Sequence, residues 1–195
     1  MKHPELFLIP VFMLADYFLT VLGAIQKDKK YSHHFRTEHY ELNPVWQKQI
    51  AQRQWLSPLH LLATASLTIA LVILTETDEV PRPVIRFILG LLLVLYGMVI
   101  GRHLSNLLIF RYVDRQAQEL SGHVTMSHAM ALSISLYHNL ILLVPLLLVA
   151  LFSPSPFVFG GLSSVLLFVL THLRWIAKNR RRIKMPDEAV DATIV

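Results

Sequence analysis

Apolar positions in this chain gather into five long runs, at residues 6–25, 59–75, 84–104, 129–152 and 157–177, separated by polar segments of very unequal length. A helix crosses a hydrocarbon core ~30 Å thick with roughly 20 apolar residues. Each run approaches that length, the second being the shortest. The pattern predicts an all-α fold: a polytopic membrane helix bundle of five transmembrane helices. The third run continues past its apolar part, because "GRHLSNLLIFRYV" from Gly101 keeps helical spacing for two or three more turns. That helix is expected to project from the bilayer.

The connections refine the layout. "FSPSPF" between the last two runs and "TETDEVPRP" between the second and third are short turns, so each joins antiparallel neighbours. Only the segment 26–56 is large enough to hold structure of its own. The chain reads as a single membrane domain over 1–185, with "PDEAVDATIV" at 186–195 as a disordered tail. Lys and Arg near spans are retained on the cytoplasmic side. With the N-terminus outside, the inner segments 26–56, 102–127 and 174–195 hold six, three and six of these residues, against one, two and none outside. Fifteen against three favours an outside N-terminus and a cytoplasmic C-terminus, in what is expected to be a prokaryotic cell membrane.

Composition agrees: 54% of residues are hydrophobic and 16% charged, and the mean hydropathy is +0.49. The first run is preceded by one Lys, carries Asp16 in its centre and lacks a small-x-small cleavage pattern, so it is read as a mature helix and not a signal peptide. Cysteine is absent, which excludes disulfides, thiolate metal ligands and cysteine nucleophiles. The pI of about 9.6 follows from inner-face retention and attraction to anionic lipid headgroups, the expected partners along with the bilayer. "KNRRRIK" after the last run is an interfacial anchor on this reading, and no nucleic-acid partner is needed.

Asp16 is the residue that changes the picture most. It is the eleventh residue of a twenty-residue span, where a charge costs ~2.5 to 3.5 kcal/mol and should face the bundle interior, paired, hydrated or protonated. Thr20 and Gly23 fall within about 40° of it around the helix. In the third run Gly90, Gly97 and Gly101 form a small-residue stripe suited to close helix packing, which also allows a homo-oligomer. Beside the stripe Arg102, His103 and Asn106 share an arc. Arg102 either snorkels to headgroups or neutralises Asp16 or an anionic ligand, the axial gap to Asp16 being about 12 Å. His60 starts the second span in line with Thr64 and Thr68, His138 faces the same way as Ser135 and Pro145, and His172 lies near the end of the fifth. Two His on facing helices can hold haem b, but no within-helix spacing here makes a metal site, so no cofactor and no metal are expected. Pro10 and Pro145 are candidate kinks.

The segment "YSHHFRTEHYELNPVWQKQIAQRQW" is the densest set of reactive side chains: His33, His34, Glu38, His39, Glu41 and Asn43. Carboxylate beside imidazole suits general acid/base chemistry or divalent metals, but the spacing fits no zinc signature. Its second half reads as an interfacial helix with Asn43 as cap and Pro44 first, Trp46, Ile50 and Trp55 on or near the membrane face, and Lys48 and Arg53 reaching headgroups. "DYFLT" followed by "ELNP" has the form D-x-x-x-T then E-x-N-P. On these motifs the first third of the chain resembles a family of small bacterial and archaeal polytopic membrane proteins defined only as a domain of unknown function. The resemblance implies no activity; it implies that Asp16, Thr20, Glu41, Asn43 and Pro44 belong together. The loop here is longer and richer in His than that pattern requires.

Three functions fit these residues. The leading expectation is a channel or transporter-like protein, with Asp16, Thr20, Arg102, His103, Asn106 and His138 lining a polar route. The second is a membrane-embedded enzyme acting on a lipid or isoprenoid at the cytoplasmic interface, with His34, Glu38, His39, Glu41, Asn43 and His60 in the loop site. The third is a structural or accessory membrane subunit whose polar residues only assemble helices.

Overall fold

The computed structural model describes residues 4–37, 40–76 and 80–184, the last five by their backbone alone. The expected tail at 186–195, Glu38 and His39 therefore lie outside the described residues. A short 3-10 turn at Pro4–Phe7 leads into α1 (Leu8–Lys27), followed by α2 (Tyr31–His34), β1 (Phe35–Thr37), α3 (Gln47–Ala51), α4 (Pro58–Glu76), α5 (Arg82–Arg115), β2 (Val124–Met126), α6 (His128–Phe152) and α7 (Pro156–Lys184). Helices α1, α4, α5, α6 and α7 are long and apolar enough to cross a membrane. The chain is a multi-pass membrane protein built as a helix bundle, as the hydrophobic runs require.

Local chemistry sets the helix ends. Ser57 caps α4 by accepting from the His60 amide at 3.3 Å, with Pro58 in the first turn, where a missing N–H is free of cost. Ser127 accepts from the Met130 amide and Ser155 from the Val158 amide, so α6 and α7 begin the same way. Helix α5 has 34 residues, about 50 Å at the helical rise, and overruns a ~30 Å core by several turns. Pro10 sits in the first turn of α1, and α6 runs through Pro145.

The spans form a row in the order α4, α1, α5, α7, α6, so that α7 packs along both α5 and α6 while those two barely touch. One face of α1 supplies two apolar clusters. Ile9 and Met13, with Leu6 from the preceding turn, meet Leu71, Ile85 and Leu89 at one end; Tyr17, Val21 and Ala24 meet Ile50 at the other. A third cluster joins Leu132, Leu136 and Ile176.

The glycine stripe is used differently from the expectation. A side chain at Gly90 would collide with the Phe157 carbonyl oxygen, and one at Gly160 with that of Phe87, so this pair lets the α5 and α7 backbones touch. Gly97 and Gly101 have nothing within 4 Å of a built side chain, because that part of α5 turns its stripe into the gap toward α6.

The segment between α1 and α4 does not form the expected interfacial helix. Residues 35–37 pair in parallel with 124–126, tying this loop to the one before α6. Asn43 does not cap a helix: its Oδ1 accepts from the Val45 amide at 3.1 Å in a tight turn, and the helix that follows, α3, has five residues. Ile50 is 1% exposed and buried against α1, Arg53 pairs with Asp28, and Trp46 is half-buried; Trp55 and Lys48 remain exposed as expected. The loop faces the bundle because Ile50 fills the concavity beside Tyr17, whose hydroxyl donates to the Gln54 carbonyl at 2.9 Å.

Gly160→Val is expected to destabilise the protein by about 1 to 3 kcal/mol or more, since backbone atoms on α5 cannot yield as a side chain would. Gly97→Val should leave stability nearly unchanged. Thermal unfolding of both variants in detergent checks the contrast.

Candidate functional site

The site grows from one turn of α1. The Thr20 hydroxyl has a single proton, which it donates to the Asp16 carbonyl oxygen at 2.8 Å. Its oxygen, 3.0 Å from His103 Nε2, must then accept, so Nε2 carries the proton. The same Nε2 stands 3.1 Å from Asp16 Oδ1, off the N–H axis, as a close electrostatic contact and not an aligned hydrogen bond. His103 Nδ1 is buried without a hydrogen-bond partner among the described residues. Asp16 thus faces the bundle interior with a fixed neighbour, but that neighbour is His103 and not Arg102. Arg102 lies one residue along α5, about 100° round the helix. Its Nη1 donates instead to Ser135 Oγ on α6 at 2.5 Å.

The loop completes the chamber. Gly23 gives Tyr40 its seat, since any side chain there would strike the Tyr40 ring hydroxyl. With Tyr40 docked, Glu41 turns inward, and its Oε1 accepts from the Asn43 amide at 2.7 Å. Burial pushes the Glu41 carboxyl above its usual range and the Asp16 charge adds to this, against weaker opposing pulls from the Asn43 amide, His103 and Arg102. Asp16, Glu41, His60, Arg102, His103 and His172 line one cavity of about 200 Å³, with Thr20 and Asn43 also in its wall. Of the five residues grouped by the D-x-x-x-T and E-x-N-P motifs, four therefore share this wall, and Pro44 sits exposed on the adjoining turn.

Two His are held firmly by protein. His60 Nε2 donates to the Met13 carbonyl at 3.1 Å, its ring stacked on Tyr17 with centroids 4.6 Å apart. His172 Nδ1 donates to the Phe168 carbonyl at 2.9 Å, which leaves Nε2 to accept from Ser135 at 2.9 Å. A chain of contacts thus runs from Phe168 through His172 and Ser135 to the Arg102 guanidinium. Among the described residues no three His, Asp or Glu side chains stand in metal-binding range.

Two further cavities adjoin the first. One of about 290 Å³ lies on the loop side, with Lys27, Tyr40, Glu41, Arg102 and His103 in its wall. The other, about 560 Å³, is the gap between α5 and α6, lined by Gly97, Gly101, Asn106, His138 and Pro145. Arg102 belongs to all three. Asn106 and His138, expected beside Asp16, line these neighbouring cavities. His34 takes no part: its Nδ1 meets the Gly122 carbonyl at 3.0 Å and pins the two loops together. Sequence reasoning missed the Ser135–His172 pair and Lys27. The two partners are polar residues in separate apolar runs, a visible signal whose pairing depends on how α6 meets α7. Lys27 reads as a loop charge, yet it is 8% exposed.

The raised Glu41 pKa has a sign that can be checked. The folded state holds this proton more tightly than the unfolded chain does, so the contribution to stability is full below the ordinary value of 4.5 and is lost as pH rises through the folded pKa. Thermal unfolding across that window should fall with pH in the wild type and fall less in Glu41→Gln.

No protein-family model, no curated protein and no solved structure matches the chain. Function therefore rests on the chamber itself.

Proposed function

We propose that the protein is a membrane-embedded enzyme that performs acid–base chemistry on a lipid or isoprenoid in the chamber around Asp16, His103 and Glu41. One observation carries this reading: the loop folds back into the bundle and delivers Glu41 to the same 200 Å³ cavity as the Asp16–His103 pair. His103 has its Nε2 proton committed to Thr20, which leaves Nδ1 as the basic nitrogen. When Nδ1 takes a proton from substrate, the imidazolium charge is balanced by the Asp16 carboxylate 3.1 Å away. Glu41, whose carboxyl burial pushes above its usual range, is the acid that returns a proton. A base and an acid in the wall of one cavity are what proton transfer in both directions needs.

A carrier is the second reading, favoured by the position of Asp16 in mid-span. Beyond Asp16 the bundle is packed by the apolar cluster of Ile9, Met13, Leu71 and Leu89, so that end of α1 is closed, as in a carrier open to one side. The same plug weighs against an open channel through one copy of the chain. A purely structural subunit would not account for His103 Nδ1, buried without a hydrogen-bond partner among the described residues.

The test places the purified protein in nanodiscs made from a total lipid extract and follows lipid species by mass spectrometry. Wild type should convert a lipid, while His103→Ala, Asp16→Asn and Glu41→Gln slow the conversion by roughly a hundredfold or more. Equal turnover in all three variants would remove the enzyme reading. Asp16-dependent ion flux in vesicles without lipid turnover would put the carrier in its place.

A further inference from the structure

We infer that the chain binds an amphiphile carrying a phosphate-type anionic head, held between Lys27 and Arg102, with its hydrocarbon chain lying in the α5–α6 groove past Gly97 and Gly101. This names the substrate class for the enzyme reading and rests on it only for the word substrate; the binding site stands on its own geometry.

Two cations line the 290 Å³ cavity at the loop end, and among the described residues neither has a carboxylate within ion-pair distance. The ammonium of Lys27, a residue 8% exposed, donates a hydrogen bond to Thr37 Oγ1 and lies 5.8 Å from the centre of the Tyr40 ring. The nearest acid in sequence, Asp28, is taken by Arg53. Arg102 contacts the neutral Ser135 hydroxyl and stands 6.0 Å from the guanidinium carbon to the Phe168 ring centre. The one carboxylate among the described residues of that cavity wall, Glu41, is pushed by burial toward its neutral form. Unmatched charge at this depth is costly, and an anion is what offsets it. The guanidinium is also fixed in advance, because Ser135 is held by His172 and His172 by the Phe168 carbonyl. A planar donor held in place is suited to phosphate oxygens.

The second half of the ligand follows from continuity. Arg102, Asn106 and His138 belong both to this cavity and to the 560 Å³ groove between α5 and α6. That groove is lined mainly by apolar atoms and exists because α5 and α6 barely touch and the two glycines carry no side chain into it. A polar head at the loop end and a lipid-side groove leading from it match an amphiphile arriving from the bilayer.

The test is binding to the full chain in detergent, read by native mass spectrometry. The probes are a long-chain isoprenyl monophosphate, phosphatidic acid, the matching isoprenyl alcohol, diacylglycerol and inorganic phosphate. The phosphate-bearing chains should bind roughly tenfold or more tighter than their neutral counterparts and than inorganic phosphate alone. The better of the two phosphates identifies the source of the head. Arg102→Gln and Lys27→Gln should each remove most of that preference, Arg102→Lys should restore part of it, and the exposed loop variant Lys48→Gln should change nothing. Gly101→Phe should weaken the chain-bearing phosphates. If the alcohol binds as tightly as the monophosphate, the inference is wrong whether or not any variant folds. It is equally wrong if Gly101→Cys, in a chain with no other cysteine, cross-links a second copy across the groove and lipid binding is unchanged. Phosphate-selective binding without turnover would keep this inference and count against the enzyme; turnover of an uncharged lipid would do the reverse.

Discussion

The structure depends on how the bundle accommodates a carboxylate in the middle of its first span. An ionised Asp at that depth is tolerated only if the protein supplies what water would. Here that takes three residues on two helices: Thr20 is bonded to the Asp16 backbone, His103 is bonded to Thr20, and the imidazole edge is set against the carboxylate. The requirement draws α1 and α5 together along their loop-end halves. Tyr40 and Glu41 close over the gap, with the Tyr40 ring seated on Gly23.

Most of the fold was legible because a membrane helix announces itself through length and hydropathy alone. All five expected runs became spanning helices, with ends shifted by a few residues at most except where α5 and α7 run on past the apolar part. The overrun of α5 past Gly101 could be read for the same reason, since helical spacing persists there. The loop was not legible in the same way. Ile50 and Trp46 look like a membrane-facing stripe in sequence, and amphipathicity does not say whether an apolar side meets lipid or protein. Ile50 meets protein, because α1 presents Tyr17 and Val21 beside it.

The candidate site divides along the same line. Asp16, Thr20 and His103 could be picked out because polar residues in apolar runs are conspicuous, and Glu41 and Asn43 because they follow the first span as a compact motif. Which of them touch was not readable. Arg102 and His103 are adjacent in sequence and equally plausible as partners for Asp16, and only the rotation of α5 decides that the imidazole faces α1 while the guanidinium faces α6. The glycines make the same point. Gly90 and Gly160 are buried in a backbone contact, whereas Gly97 and Gly101, the more conspicuous pair in sequence, face open space. A spacing motif records that close approach is permitted, not that it occurs.

These rotations also explain why the polar groups serve two different ends. His103 points inward, where it offsets the charge of Asp16 and gains a free nitrogen. Arg102 points outward, toward a gap bordered by glycine and by α6, and keeps a charge that no described carboxylate contacts. Had α5 turned by one residue, Arg102 would satisfy Asp16 directly, and the bundle would hold a closed ion pair with nothing left over. The arrangement found instead leaves His103 Nδ1 without a hydrogen-bond partner and Arg102 without a carboxylate among the described residues, beside cavities that share Arg102 in their walls. A helix interface that needed only cohesion would have no use for that surplus, because unpaired buried charge weakens packing. The surplus is intelligible when something that carries its own charge and its own proton comes to occupy the space.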